Sequence, residues 1–192
     1  IIERNPSSFS PFPDGQHLFF WRDQKKTCEE IAKFSKRDAV QYPLFEKKLE
    51  ELYEIYFSCG IENPLYIESA KQFVPGSGNP DAGILFIGEA PGEVEENVGL
   101  PFQGRSGKLL RNTLKKYEIT ENNSFITNVV KFRPPNNRKP TNQEIKNHFD
   151  LVLFHEIKII APKIIVPVGG VAAETILGKQ IKITGIRGKN LI

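Results

Sequence analysis

The sequence predicts an α/β fold: a three-layer α/β/α sandwich around a mostly parallel sheet, with an amino-terminal helical extension. Three observations carry this. First, three short apolar runs, Ile84-Leu85-Phe86-Ile87, SFITNVV at 124–130 and KIIVPV at 163–168, are each followed by a helical pattern. Second, the runs are near-continuous rather than alternating, as expected of strands covered on both faces. Third, the first run empties into Gly88-Glu89-Ala90-Pro91-Gly92. A glycine-rich turn at the carboxyl end of a buried strand is where open α/β sheets build their sites.

Each element has a local reason. Residues 1–23 hold three prolines and an Asp14-Gly15 turn, and 17–21 (HLFFW) read as a short strand after it. Thr27-x-x-Glu30 is a capping-box pattern, with Ser35-x-x-Asp38 as an echo. Helices follow near 28–34 and 37–58, the second kinked or divided by Pro43. Phe45, Leu49, Leu52, Tyr53 and Tyr56 line one face of it. Residues 74–80 are loop by composition. Strand 83–88 leads through an acidic loop to a helix near 106–117. Strand 124–130 leads through a basic loop to a helix near 141–160, and strand 163–168 leads through Gly169-Gly170 to a helix near 171–177. Such alternation implies right-handed crossovers. We expect an extension over 1–58 and the α/β domain over 59–192.

Totals bound the function classes. With 39% apolar and 26% charged residues in 192, the chain can bury a core. No run approaches the ~18 apolar residues of a membrane span, and no basic-then-apolar leader opens the sequence. Cys28 and Cys59 cannot make a disulfide framework, which fits a reducing compartment: cytoplasm, nucleus or organelle. A net charge of +3 permits a nucleic-acid partner without arguing for one. The sequence lacks Met, starts at Ile1 and stops at Ile192, so it is expected to be a piece of a longer protein.

Familiar sites are excluded on spacing. Gly99 and Gly104 have phosphate-loop separation, but Arg105-Ser106 follows where Lys-Ser or Lys-Thr is required. No dinucleotide fingerprint follows the first strand. His17, His148 and His155 are scattered, so no metal cluster is evident.

What fits is an ordered set: GEAPG, then Gly99-x-Pro-Phe-x-Gly-x-x-Gly-x-Leu-Leu, then ITN, VVKFRPPNNRKPT, APKIIVPVG and RGK. From about residue 60 onward the chain resembles family 4 uracil-DNA glycosylases, the thermostable archaeal and bacterial type. The resemblance implies hydrolysis of the N-glycosidic bond of deoxyuridine in DNA during base excision repair, by base flipping and water attack. Such an enzyme must extrude a nucleotide, stack the base, read its edge and place a water at the sugar.

By resemblance, Phe102 stacks on the flipped uracil; the alternative is a core phenylalanine. Asn128 ends the ITN strand, and its amide can pair with the imide N–H and a carbonyl of uracil; the alternative is a strand-end Asn bonding its own backbone. Glu89 is implied to lie beside the attacking water, where a carboxylate can orient it or stabilise a cationic sugar; otherwise it organises the turn. Gly88, Ala90 and Gly92 allow backbone to approach the base. Glu93, Glu95 and Glu96 read as a solvated acidic loop, although Glu95 matches a position of functional weight in the family. The loop 131–140 gathers Lys131, Arg133, Arg138 and Lys139, stiffened by prolines, and reads as a phosphate contact or as a solvated polar loop. Arg105 and Lys108, at a helix start, add phosphate contacts.

Two departures matter. The family carries four cysteines for a [4Fe–4S] cluster, at positions held here by Gly60, Asn63, Phe132 and His148, so no cluster is expected. The family's closing His-Pro-Ser/Ala-Tyr motif and last strand do not occur before Ile192, leaving strand 163–168 as an edge in the implied 2-1-3-4 order. The expectation is therefore a fragment of a longer enzyme, or a chain inactive as it stands. Uracil-containing DNA is the expected partner of a monomer with no membrane association. A non-catalytic DNA- or base-binding remnant is the alternative. Residues 11–46 separately resemble a stretch of phytoene-desaturase-like FAD oxidoreductases, which implies either a fusion or a gene-assembly artefact; no cofactor fingerprint lies there.

Overall fold

A computed structural model describes residues 8–58, 66–67, 70–186 and 188–189. The chain divides into two compact units, one ending at Glu50 and the other beginning at Glu51.

The first unit opens with a hairpin. Strand β1 (Ser8–Pro11) pairs antiparallel with β2 (His17–Phe20). Asp14 fixes the turn by accepting from Gln16 N at 3.0 Å, and Gly15 takes φ 84°, which glycine adopts without strain. Helix α1 (Gln24–Ala32) begins earlier than the capping pattern suggested. Asp23 caps it, accepting from Lys25 N at 3.0 Å. Thr27 is instead buried inside the helix, and its hydroxyl exchanges hydrogen bonds with the Trp21 backbone at 2.8 and 3.0 Å. The Ser35 echo is a real cap: Ser35 Oγ accepts from Asp38 N at 3.2 Å ahead of α2 (Lys36–Ser58). Pro43 sits within α2 without dividing it.

The second unit holds a four-stranded sheet of β3 (Ser77–Gly78), β4 (Ile84–Gly88), β5 (Ser124–Asn128) and β6 (Ile164–Pro167), in the order β3-β5-β4-β6. Strand β4 is central and parallel to both β5 and β6; β3 adds a short antiparallel edge. This is the α/β fold read from the sequence, with three strands in the expected relative order. Leu85, Ile87, Phe125, Val129, Val130, Val152, Leu153, Ile160 and Ala172 form its core. Strand β6 is the other edge among the described residues, with Ile164 exposed.

Three segments of this unit differ from expectation, the first being β3, which forms inside the stretch 74–80 expected to be loop. The acidic loop contains helix α3 (Glu93–Val98), and Glu95 and Glu96 on it are buried, not solvated. It leads to α4 (Arg105–Lys115). The long helix near 141–160 is α5 (Asn142–His148), a π-helical segment (Phe149–Leu153) and α6 (Phe154–Ile160) in unbroken succession. Val152, Leu153, Glu156 and Ile160 all lie on the buried side. Beyond β6 lie α7 (Gly170–Leu177) and α8 (Ile183–Ile186). No described helix is long and apolar enough to cross a membrane.

Candidate nucleobase site at the strand ends

The parallel register of β4 and β5 sets Gly88 beside Asn128 at the carboxyl ends of the strands. The ladder runs on past them, with Val129 N donating to Gly88 O at 2.8 Å and Val130 N to Glu89 O at 3.1 Å. Gly88 has no room for a side chain. A Cβ there would lie 2.5 Å from Phe102 Cζ and would also overlap Asn128 Oδ1. Gly88, Phe102 and Asn128, far apart in sequence, therefore meet at one point. Asn128 is 4% exposed, yet its carboxamide makes no side-chain hydrogen bond to another described residue. The strand-end alternative, an amide spent on its own backbone, is not what forms.

The Phe102 ring is held by the loop that carries it. Phe102 sits at φ 57°, a left-handed conformation that costs a non-glycine residue about 1–2 kcal/mol. Gly107 is in close approach behind it, since a Cβ there would lie 2.5 Å from Phe102 Cα. The Arg111 guanidinium donates to Phe102 O at 3.2 Å and Pro101 O at 3.1 Å. Glu95 completes the frame. One carboxylate oxygen accepts from Gln103 N at 3.0 Å and Gly104 N at 2.8 Å, and the other accepts from Gly92 N at 3.2 Å. A buried carboxylate thus ties the loop after β4 to the loop carrying Phe102. Sequence reasoning missed Arg111 and set Glu95 aside as solvated. The Gly92-x-x-Glu95 spacing was the available signal, because a glutamate in the first turn can fold back onto a preceding N–H.

In front of this frame lies an open cleft of about 1030 Å³. Glu89, Ala90, Arg105, Lys108 and Arg138 line it, while Gly88, Phe102 and Asn128 are not on its wall. Glu89 is half-buried, and its carboxylate makes no hydrogen bond or ion pair with another described residue. Arg105 and Lys108 stand exposed on the first turn of α4. Arg138 forms a two-pronged pair with Glu144, at 2.8 and 2.6 Å. That guanidinium holds the Glu144 carboxyl down at about 2, well below the usual carboxylate range.

One of the predicted phosphate contacts is corrected. Lys131 is fully buried, its ammonium bonded to Glu156 at 2.6 Å, Thr127 at 2.5 Å and Asn128 O at 2.8 Å, so it cannot reach a DNA backbone. Arg133 does not line the cleft; it spans Glu96 at 3.2 Å and Asn137 at 2.8 Å, holding the 133–138 turn in place. Residues 124–132 are all buried, and position 131 continues that interior run beyond the strand.

The residues at the implied cluster positions do not suit a cluster. Phe132 is buried edge-on to Tyr66, Phe73 and His148, with ring centroids 5.7, 5.5 and 6.1 Å away. Buried His148 accepts from Lys131 N at 3.2 Å. Neither offers the thiolate that iron–sulfur ligation uses. Gly60, Asn63 and Cys59 lie outside the described residues. Among the described residues, no group of three or more His, Cys, Asp or Glu could hold a metal ion.

Comparison with known proteins agrees with this geometry. The chain is 44% identical to a type-4 uracil-DNA glycosylase of Thermotoga maritima, over 65% of each chain. It is 47% identical to one of Sulfurisphaera tokodaii over 62% of this chain and 56% of the relative. It is 36% identical to one of Pyrobaculum aerophilum over 73% of this chain and 72% of the relative. The chain thus spans somewhat less than two thirds of the length of the first two relatives. The sequence profile of the uracil DNA glycosylase superfamily matches residues 75–191, so the chain belongs to that superfamily and, with these relatives, to its type-4 branch.

Proposed function

We propose that this chain carries the base pocket of a uracil-DNA glycosylase that hydrolyses the N-glycosidic bond of deoxyuridine in DNA. A flipped uracil stacks on Phe102, and the Asn128 carboxamide accepts from its imide N–H while donating to a neighbouring carbonyl. Cytosine, with an amino group and an unprotonated ring nitrogen on that edge, does not match the same amide. Gly88, having no side chain, leaves the room in which the Phe102 ring and the Asn128 carboxamide come together to meet the base. Glu89 orients the water whose oxygen bonds to the anomeric carbon as that carbon's bond to uracil N1 breaks. The electron pair leaves with uracil, and the water supplies the proton that the base finally carries. Arg105, Lys108 and Arg138 hold phosphates along the cleft, positioning the strand without reading it. The chain acts as a monomer on uracil-containing DNA and without an iron–sulfur cluster, its aromatic packing standing where ligands would be.

The observation that supports this reading most is the convergence of Phe102 and Asn128 on Gly88, a ring and an uncommitted buried amide at adjacent strand ends. The test is binding and cleavage with paired oligonucleotides that differ only by uracil against thymine or cytosine. Preferential binding of the uracil strand, or alkali-labile sites in it alone, is expected. Equal binding of all three strands with none made alkali-labile would overturn the reading.

A further inference from the structure

Behind the pocket floor lies a buried polar network that the proposed chemistry does not use. Lys131, Thr127 and Glu156 are each fully buried. The Lys131 ammonium donates to Glu156 Oε2 at 2.6 Å, to Thr127 Oγ1 at 2.5 Å and to the backbone oxygen of Asn128 at 2.8 Å. The three donors of an ammonium are then all spent. Thr127 Oγ1 lies 3.2 Å from both Glu156 oxygens, and the Tyr56 hydroxyl donates to Glu156 Oε1 at 2.5 Å. Tyr56 OH in turn accepts from Gly76 N at 3.3 Å. Residues from α2, β5, the strand extension and α6 are locked together around one carboxylate.

As a source of stability such a pair is poor, because the cost of taking two charges out of water offsets most of their attraction. What it fixes is geometry. One of its bonds ends on the carbonyl of Asn128, in the peptide plane whose Val129 N–H donates to Gly88 O at 2.8 Å, so that plane is held from both sides. Rotation of that plane would swing the Asn128 side chain off Gly88 and Phe102, since the side-chain direction follows from the backbone that carries it.

We propose that Lys131, anchored by Glu156, is a positioning residue that holds the Asn128 peptide, and through it the carboxamide, in the orientation that reads uracil. This rests on the uracil reading above. The same Lys131 that fails as a surface phosphate contact thereby governs base discrimination from inside.

The test separates positioning from folding. Lys131→Met alone leaves a buried carboxylate without its counter-charge and lowers Tm. Lys131→Met with Glu156→Leu removes both charges and recovers Tm. In that double variant, uptake of free uracil by calorimetry is expected to weaken roughly ten- to a hundredfold, as for loss of a hydrogen bond to a charged group. Its binding of DNA with an abasic site, which offers no base to read, is expected to stay at the wild-type level. A double variant with wild-type Tm and wild-type uracil uptake overturns the inference. A measurement on the unaltered protein covers the case in which the double variant does not fold. The ¹⁵N resonance of the Lys131 ammonium should shift on addition of uracil, and a resonance that stays put overturns the inference. Absence of uracil uptake by the wild-type chain overturns the functional reading itself, and this inference with it.

Discussion

Gly88 and Asn128 are register partners in the parallel β4–β5 ladder, and the side chain Gly88 lacks is the space that the Asn128 carboxamide and the Phe102 ring occupy. A Gly88→Ala variant places a methyl group inside that contact. Overpacking of this kind costs about 1–3 kcal/mol, and each kcal/mol lowers Tm by roughly 2–4 °C in a chain of this size. The protein should therefore still fold, while the ring and amide are pushed apart. Calorimetry should show a modest fall in Tm together with near-complete loss of uracil uptake. Unchanged uptake would mean that Phe102 and Asn128 do not act together on a base.

Glu95 makes a prediction that can be read amide by amide. Its Oε1 serves Gln103 N and Gly104 N, and its Oε2 serves Gly92 N. Glu95→Ala strands all three donors, and hydrogen exchange at the three amides should accelerate together, at a cost of about 1.5–3 kcal/mol per charge-assisted bond before relaxation. Glu95→Gln keeps one carbonyl oxygen. That oxygen should remain with the pair of donors, so only the Gly92 amide should lose protection. Uniform exchange in both variants would show that the two loops are held by something other than this carboxylate.

Iron content tests the aromatic packing at the family's cluster positions. Phe132 touches Tyr66, Phe73 and His148, and it is buried. Protein expressed with ample iron should purify without iron or acid-labile sulfide, and a strong chelator should leave Tm where it was. Phe132→Ala, which opens a cavity in this packing, should cost about 3–5 kcal/mol. Stoichiometric iron in the purified protein, or a chelator-dependent Tm, would contradict the assignment.

The parallel strands were legible because β4 and β5 are buried on both faces, and these two and β6 read as unbroken apolar runs of strand length. The pocket was legible only through ordered motifs. Phe102 and Asn128 are separated by a helix and a strand, and nothing in hydrophobic period brings them together; register does. Two errors share a cause. Lys131 and Glu95 are charged, and a charged residue in a polar stretch reads as solvated. Each is buried because partners from distant segments, Glu156 for one and the amides of residues 103 and 104 for the other, satisfy it. Such pairing is tertiary information that composition does not carry. The helix α3 was lost the same way, its acidic residues suggesting loop when two of them point inward.

The Arg138–Glu144 pair sets the charge at the cleft wall. Glu144 has its carboxyl lowered from 4.5 to about 2, first by the hydrogen bond from Arg138. Because the folded value is depressed, what the pair adds to stability is present above about 4.5 and is lost as pH falls toward 2. NMR titration of the Glu144 carboxyl carbon should show a midpoint near 2 in the wild type, and Arg138→Ala should return it toward 4.5. At neutral pH the same carboxylate neutralises part of a cation proposed to meet phosphate. Glu144→Gln should therefore tighten binding of an oligonucleotide at low salt and steepen its salt dependence by about one counterion. The gain should be equal for uracil- and thymine-containing strands, because a phosphate contact positions without reading. Weaker binding after Glu144→Gln would show that Arg138 needs its partner to aim it. A gain confined to the uracil strand would place Arg138 in the base pocket rather than on the backbone.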